Sequence, residues 1–251
     1  MVQAPQRTAL SGPALIRLLA RLTDVEFTES AQSLSDRLSQ WLHWTDAIAL
    51  STALGGMPAA GNPMAGNSVA GNPVGVAKGV PTSSSPEENE YAAVRGALAN
   101  TIASDSVFGA PKKRPGAGGQ VHIETNADYP VFRQGYLTLQ QSMETAIGNL
   151  RGRLRAKLAL RTPATKRLAE VDAVMERALS PRERTLLGTV PTLLGKHFER
   201  LRRAEQDTLT GDHPAGAWLE IFRKDAQSVL LAELDLRFQP VEGLLAALRT
   251  S

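Results

Sequence analysis

Apolar residues recur at intervals of three and four positions along most of the chain, which is the spacing of one face of an α-helix. The longest run covers residues 128–161, where the spacings are 4, 3, 4, 4, 3, 4 and 4. Its members are Phe132, Tyr136, Leu139, Met143, Ile147, Leu150, Leu154 and Leu158. An eleven-residue repeat of this kind keeps the apolar seam nearly straight. The pattern therefore predicts one long helix of about 45 Å, at about 1.5 Å per residue.

Shorter amphipathic runs predict further helices on the N-terminal side. One covers about residues 12–22, and another covers residues 30–54 after an opening at Glu29 or Ser30. The apolar residues of both keep helical spacing, although the sequence around Trp44 indicates a break within the second. We expect these short helices of residues 1–54 to pack on the helices that follow.

Two Ser-Pro-x-Glu sequences indicate helix starts, because serine caps a helix, proline suits its first turn and glutamate completes a capping box. The first, Ser85-Pro86-Glu87-Glu88, predicts a helix that runs to about Ser104 within the segment 86–108. The second, Ser180-Pro181-Arg182-Glu183, predicts a new helix that Pro191 should kink. Pro240 is expected to begin a separate last turn or two.

Glycine and proline are concentrated in two stretches, which hold 12 among the 32 residues 55–86 and 6 among the 11 residues 109–119. The first stretch contains a pentapeptide tandem, AGNPM-AGNSV-AGNPV, at residues 60–74. We interpret 55–85 as a disordered low-complexity linker and 109–127 as a flexible linker. Residues 128–251 would then form a C-terminal helical bundle.

The fold class that follows is all-α: a helical bundle of about eight helices with a long central helix and two Gly/Pro-rich linkers. Aromatic residues make up only 5% of the chain, which is low for an all-β protein. A chain of 251 residues can bury a core without disulfides or metals. Because the chain has no cysteine, disulfide scaffolds, zinc–thiolate sites, iron–sulfur clusters and thiol catalysis are excluded.

No residue pattern indicates catalysis, a metal or a cofactor. The four histidines are scattered, and His197, beside Phe198, is expected to be a packed core or edge histidine. No serine-hydrolase elbow and no phosphate-binding glycine loop occurs. Glu233 and Arg237 stand four residues apart and are expected to form an ordinary surface pair. We therefore predict that the protein is not an enzyme.

Residues 151–206 carry 14 basic and 6 acidic side chains, while the whole chain has a net charge of only +3. One interpretation is a solvated surface, since cations are favoured near helix C-termini. A second is a polyanion-binding surface, although no aromatic residues are interleaved for base stacking. A third is a partner-helix interface along the long seam. The candidate partner- or polyanion-binding residues are Arg151, Arg153, Arg155, Lys157, Arg161, Lys166, Arg167, Arg200, Arg202 and Arg203.

Targeting and membrane-spanning signals are not evident. Arg17 and Arg21 interrupt the apolar residues near the N-terminus, and no apolar run approaches the roughly 18 residues of a membrane span. We therefore expect a cytoplasmic protein with no direct membrane insertion.

Residues 7–19, 179–184, 218–222 and 230–248 resemble a proteobacterial family of about this length that is catalogued as a domain of unknown function. The resemblance spans nearly the whole chain except the Gly/Asn/Pro linker, and it brings no catalytic residues. Family genes lie near genes for proton-channel-like membrane subunits and an OmpA-like protein. The resemblance thus implies a soluble accessory of an envelope complex.

These observations predict a cytoplasmic helical scaffold or adaptor that binds another protein. The resemblance suggests an inner-membrane complex subunit as that partner, and a homo-oligomer stays open. The alternative function is non-specific nucleic-acid binding through the basic segment.

Overall fold

The computed structural model describes residues 13–23, 33–55, 85–109, 128–207 and 216–250. Within these ranges 90% of the residues are helical and none lies in a strand, which confirms the predicted all-α bundle. The helices are α1 (Ala14–Thr23), α2 (Leu34–Trp41), α3 (Trp44–Gly55), α4 (Pro86–Ser104), α5 (Tyr129–Ala159), α6 (Pro163–Leu187), α7 (Val190–Asp207) and α8 (Ala217–Thr250). The two predicted linkers lie outside the described residues, apart from Gly55, Ser85 and Gly109.

Helix α5 is the centre of the bundle and contacts α4, α6, α7 and α8. All eight residues of the predicted apolar seam are buried along it, so the long central helix is confirmed. One further seam residue, Gln140, is also buried. A polar side chain in this position needs internal hydrogen-bond partners, because it cannot reach water.

Aromatic side chains join α5, α7 and α8 at one end of the bundle. The ring of Phe198 lies 5.0 Å from Phe222 and 4.9 Å from Trp218, measured between centroids. Phe132 lies 5.1 Å from Phe222. All three pairs meet nearly edge to face, which is the geometry that aromatic quadrupoles favour. The cluster therefore fixes how these three helices cross.

The three N-terminal helices pack against the C-terminal helices. Helix α1 packs against α7 and α8 and buries Leu15, Leu19 and Leu22. Helices α2 and α3 lie on α6. The break expected near Trp44 is present, because α2 ends at Trp41 and α3 begins at Trp44. The start of α2 differs from the prediction, since Ser33 accepts the capping hydrogen bond from Asp36.

The capping box at Ser85 is confirmed. The Ser85 hydroxyl accepts a hydrogen bond from the Glu88 amide at 3.2 Å, and the Glu88 carboxylate accepts one from the Ser85 amide at 3.0 Å. The helix ends at Ser104, as predicted. Asp105 ends it, because its carboxylate accepts hydrogen bonds from the amides of Val107 and Phe108.

The predicted helix start at Ser180 is wrong. Helix α6 runs through Pro181 to Leu187, and the Ser180 hydroxyl donates to the Glu176 carbonyl at 2.6 Å within the helix. Pro181 lies on the exposed side of α6, where water can satisfy the carbonyl that the proline leaves unpaired. Its position explains why the helix continues.

The two other prolines also act differently from the prediction. The chain turns at Gly188 and Thr189, so that Pro191 lies in the first turn of α7, where no amide donor is needed. Pro240 lies inside α8 on its exposed side and does not start a new helix. The packing of α8 along α5 holds it as one helix of 34 residues.

Candidate functional site

Two of the ten candidate basic residues, Arg151 and Arg155, lie in the contact between α5 and α6. Arg151 makes hydrogen bonds of 2.8 and 2.6 Å to the two carboxylate oxygens of Asp172. Arg155 binds the same carboxylate at 3.0 Å and also pairs with Glu176. The side chains of Arg151 and Asp172 are only 14% and 12% exposed. This pair is therefore largely buried, whereas the sequence predicted a solvent-facing surface. It joins the two helices.

Arg153 and Lys157 connect α5 with α4. The guanidinium of Arg153 lies 2.5 Å from the Glu90 carboxylate. The ammonium of Lys157 lies 3.2 Å from Glu87 and 3.6 Å from Glu90. These pairs are more exposed than those of Arg151, so each contributes little to the stability of the fold. They align the N-terminal half of α4 with the C-terminal half of α5.

Arg161 and Arg200 each bind the last turn of another helix. Arg161 donates to the Leu248 carbonyl of α8 at 2.5 Å. Arg200 donates to the Leu22 carbonyl of α1 at 2.7 Å. Carbonyls in a last helical turn have no partner within their own helix, and they form the negative end of its dipole. Both arginines therefore stabilise helix termini of the chain itself.

The remaining four candidates have no such partner among the described residues. Lys166 and Arg167 are exposed at the start of α6, whereas Arg202 and Arg203 lie near the end of α7. Within the described ranges no carboxylate lies at ion-pairing distance from any of them. Six of the ten predicted residues thus bind the protein itself, and a binding role for the other four stays a prediction.

A buried polar cluster between α5 and α8 was not predicted. Glu233 is wholly buried, and its carboxylate accepts hydrogen bonds from the Tyr136 hydroxyl at 2.8 Å and from the Gln140 amide at 3.0 Å. Arg237 donates to it at 2.9 Å and is 7% exposed, so the prediction of a surface pair is wrong. The signal in the sequence is a tyrosine and a glutamine one turn apart on the apolar seam of α5.

The buried polar atoms of the cluster all have hydrogen-bond partners within the protein. Burial and the adjacent charge of Glu233 raise the pKa of Tyr136 well above its ordinary value, so the hydroxyl stays a donor. Among the described residues no buried side-chain nitrogen or oxygen lacks a partner. The arrangement therefore sets the alignment of α5 and α8 and leaves no unpaired group to react.

Helix α3 presents an exposed apolar face. Trp44, Ile48 and Leu54 are 80%, 51% and 58% exposed, while Ala53 on the other side is buried against the bundle. Within α3 the only charged residue is Asp46. Among the described helices α3 packs mainly against α6, which covers one side of it. The remaining side, which we call the α3 face, comprises Trp44, Ala47, Ile48, Ser51 and Leu54.

The family model described as "Protein of unknown function (DUF3348)" matches residues 1–250. The chain belongs to this family. The match confirms the resemblance seen in the sequence and covers almost its whole length. No curated protein and no solved structure matches the chain.

Two concave regions of this DUF3348 protein mix both signs of charge. A cleft of about 310 Å³ between α5, α6 and α8 is lined by Arg184 beside Glu144 and by Arg237 beside Glu183. A groove of about 730 Å³ along α7 holds Lys196, Arg200 and Arg203 together with Glu199 and Asp207. Within the described ranges no three histidine, aspartate or glutamate side chains gather as a metal site. No described helix is long and apolar enough to cross a bilayer.

Proposed function

We propose that this protein is a non-catalytic helical adaptor that binds an apolar helix of another polypeptide on the α3 face. The supporting observation is the exposure of Trp44, Ile48 and Leu54 on a helix whose only charge is Asp46. Contiguous apolar patches on a protein surface commonly mark interaction sites. Tryptophan is also the residue type most enriched among those that dominate interface energies.

The chemistry of the α3 face selects its partner. A charged side chain buried there would lose its hydration without gaining a counter-ion, which is strongly unfavourable. Ala47 and Ser51 are small and lie between the larger side chains, which leaves room for a second helix to approach. The expected partner segment is therefore an uncharged apolar helix that docks along α3.

The basic segment supports nucleic-acid binding less well. Arg151 and Arg155 are neutralised by Asp172 and Glu176. The four candidates that have no ion-pair partner among the described residues are divided between α6 and α7. A polyanion would have to compete with these internal carboxylates. In the adaptor proposal the compartment is the bacterial cytoplasm, and the partner is a subunit of an inner-membrane complex, as the family resemblance suggests.

The proposal is tested by site-specific photo-crosslinking in the native host. A photoreactive amino acid is placed at position 48 on the α3 face and, as a matched control, at exposed position 166 on α6. The crosslinked products, with and without prior nuclease treatment, are digested with a protease, and the crosslinked peptides are sequenced. We expect position 48, and not position 166, to crosslink to an apolar segment of a different polypeptide. Adding Trp44→Asp should abolish that product.

Other products would overturn the proposal in distinct ways. Crosslinks from position 48 to a second copy of the chain would indicate self-assembly, and crosslinks within one chain would indicate that the chain covers its own α3 face. Nuclease-sensitive products from position 166 alone would favour nucleic-acid binding. The absence of any product from position 48 would remove the docking site.

A further inference from the structure

Four groups from three helices form a continuous hydrogen-bonded chain beside the aromatic cluster. The Asp225 carboxylate of α8 lies 2.8 Å from Nε2 of His197, which is buried on α7. The other ring nitrogen, Nδ1, lies 3.1 Å from Nη2 of Arg200. The same Nη2 donates to the Leu22 carbonyl in the last turn of α1 at 2.7 Å. His197 is thereby linked to the attachment of α1.

The geometry determines where the imidazole carries its proton. A guanidinium can only donate hydrogen bonds, so Nδ1 of His197 must accept from Arg200 and carries no hydrogen. The single proton of the neutral ring is then on Nε2, where it is donated to Asp225. This arrangement requires neutral His197, since a protonated ring has hydrogens on both nitrogens.

We propose that protonation of His197 breaks this series of hydrogen bonds and loosens α1 from the bundle. An imidazolium would direct an N–H from Nδ1 at the Arg200 guanidinium, and two like charges would meet at hydrogen-bond distance. The Asp225 carboxylate would stay paired with the charged ring through Nε2, so Arg200 is the group that must move. When Arg200 moves, the Leu22 carbonyl of α1 loses its donor.

Among the described residues, the neighbouring helices α1, α5 and α8 contribute the following charged and titratable groups. Helix α1 contributes the Leu22 carbonyl, while its Arg21 is exposed. On the side of α5, burial raises the pKa of Tyr129 to about 12, so its ring stays neutral in the range where histidine titrates. Within the described residues Asp225 is the carboxylate that pairs with His197.

Helix α1 is a suitable target for such a switch because it depends on its contacts. It has 10 residues, fewer than the roughly 12–15 that an isolated helix needs for marginal stability. Among the described residues its attachment includes three buried leucines, the partly buried Leu18 and the hydrogen bond from Arg200. Losing one hydrogen bond from a charged donor should therefore increase α1 opening by about tenfold.

Hydrogen exchange of the full-length protein, compared at about pH 8 and at about pH 5, tests the proposal. After correction for intrinsic rates, we expect amides of residues 14–23 to exchange about tenfold faster at the lower pH, while those of α5 keep their protection. In His197→Gln the amide side chain can both donate to Asp225 and accept from Arg200 but cannot titrate, so this pH dependence should disappear. Arg200→Gln should exchange rapidly in α1 at both values.

An equal exchange rate at both pH values, or the same acid response in His197→Gln, would overturn the proposal. A second measurement needs no variant. Nitrogen NMR of the histidine side chains in the wild-type protein should show the Nε2–H tautomer of His197 at the higher pH. An Nδ1–H tautomer there would contradict the hydrogen bond from Arg200 and overturn the proposal.

Discussion

The hydroxyl of Tyr136 on α5 donates a 2.8 Å hydrogen bond to the carboxylate of Glu233 on α8, at a place where neither side chain reaches solvent. The same carboxylate accepts from Gln140 and Arg237. If α8 slid by one turn along α5, the carboxylate would be buried without donors, at a large cost in free energy. The cluster therefore favours one alignment of the two longest helices.

Replacing Glu233 by methionine should destabilise the protein by about 3 kcal/mol or more, because Arg237 would remain buried without its main counter-ion. The free energy of unfolding in urea measures this loss. The double variant Glu233→Met plus Arg237→Met should lose less than the single variant, because it leaves no unpaired buried charge. Equal stability of Glu233→Met and the wild type would show that the hydrogen bonds of Glu233 contribute little to the free energy of unfolding.

Gly195 on α7 is required because the ring of Tyr129 lies against it. A Cβ atom at Gly195 would be 2.8 Å from Cε1 of Tyr129, and that ring is held in place by its hydroxyl bond to the Pro191 carbonyl. We expect Gly195→Ala to lower the free energy of unfolding by about 1–3 kcal/mol. Gly148→Ala on α5 is the matched control, since nothing lies within 4 Å of the Cβ atom that the substitution would add. It should be neutral or stabilise by up to about 1 kcal/mol.

Reversing the charges of Arg151 and Arg155 should unfold the contact between α5 and α6 rather than remove a binding surface. The double change to glutamate would put two more carboxylates beside Asp172 and Glu176, and we expect it to cost at least about 3 kcal/mol of stability. Adding Asp172→Arg and Glu176→Arg should restore part of this loss.

The comparison variant is Lys166→Glu plus Arg167→Glu, which changes two exposed cations without ion-pair partners among the described residues. Its melting temperature should stay close to that of the wild type, as is usual for surface substitutions. If the Arg151/Arg155 variant were as stable as this one, the ion pairs of α5 with α6 would contribute little.

All three tyrosines should resist ionisation in the folded protein. Burial raises the pKa of Tyr91 and Tyr136, and it raises the pKa of Tyr129 to about 12. Because these folded values exceed the ordinary value of about 10, the neutral tyrosines stabilise the fold below that pH. This stabilisation is lost as the pH rises through the folded values. Ultraviolet absorbance at alkaline pH should show less phenolate in buffer than in urea at the same pH.

The residue pattern alone determined those helices of this DUF3348 protein that depend on interactions between residues close together in the sequence. The 4-3-4 spacing of apolar residues placed α5 and its buried face, and the capping box at Ser85 placed the start of α4. Both signals act within a few residues, through side-chain periodicity and through hydrogen bonds to the first helical amides. The family resemblance was likewise carried by the sequence.

Tertiary structure decided where helices continue and which charges meet. The same Ser-Pro-x-Glu pattern starts α4 at Ser85 but lies inside α6 at Ser180, since the solvent-facing position of Pro181 depends on how α6 packs. Arg151 meets Asp172 across 21 positions of chain, and Tyr136 meets Glu233 across 97. Such partners are set by the docking of whole helices, because Coulomb attraction and hydrogen bonding act through space and have no period along the chain.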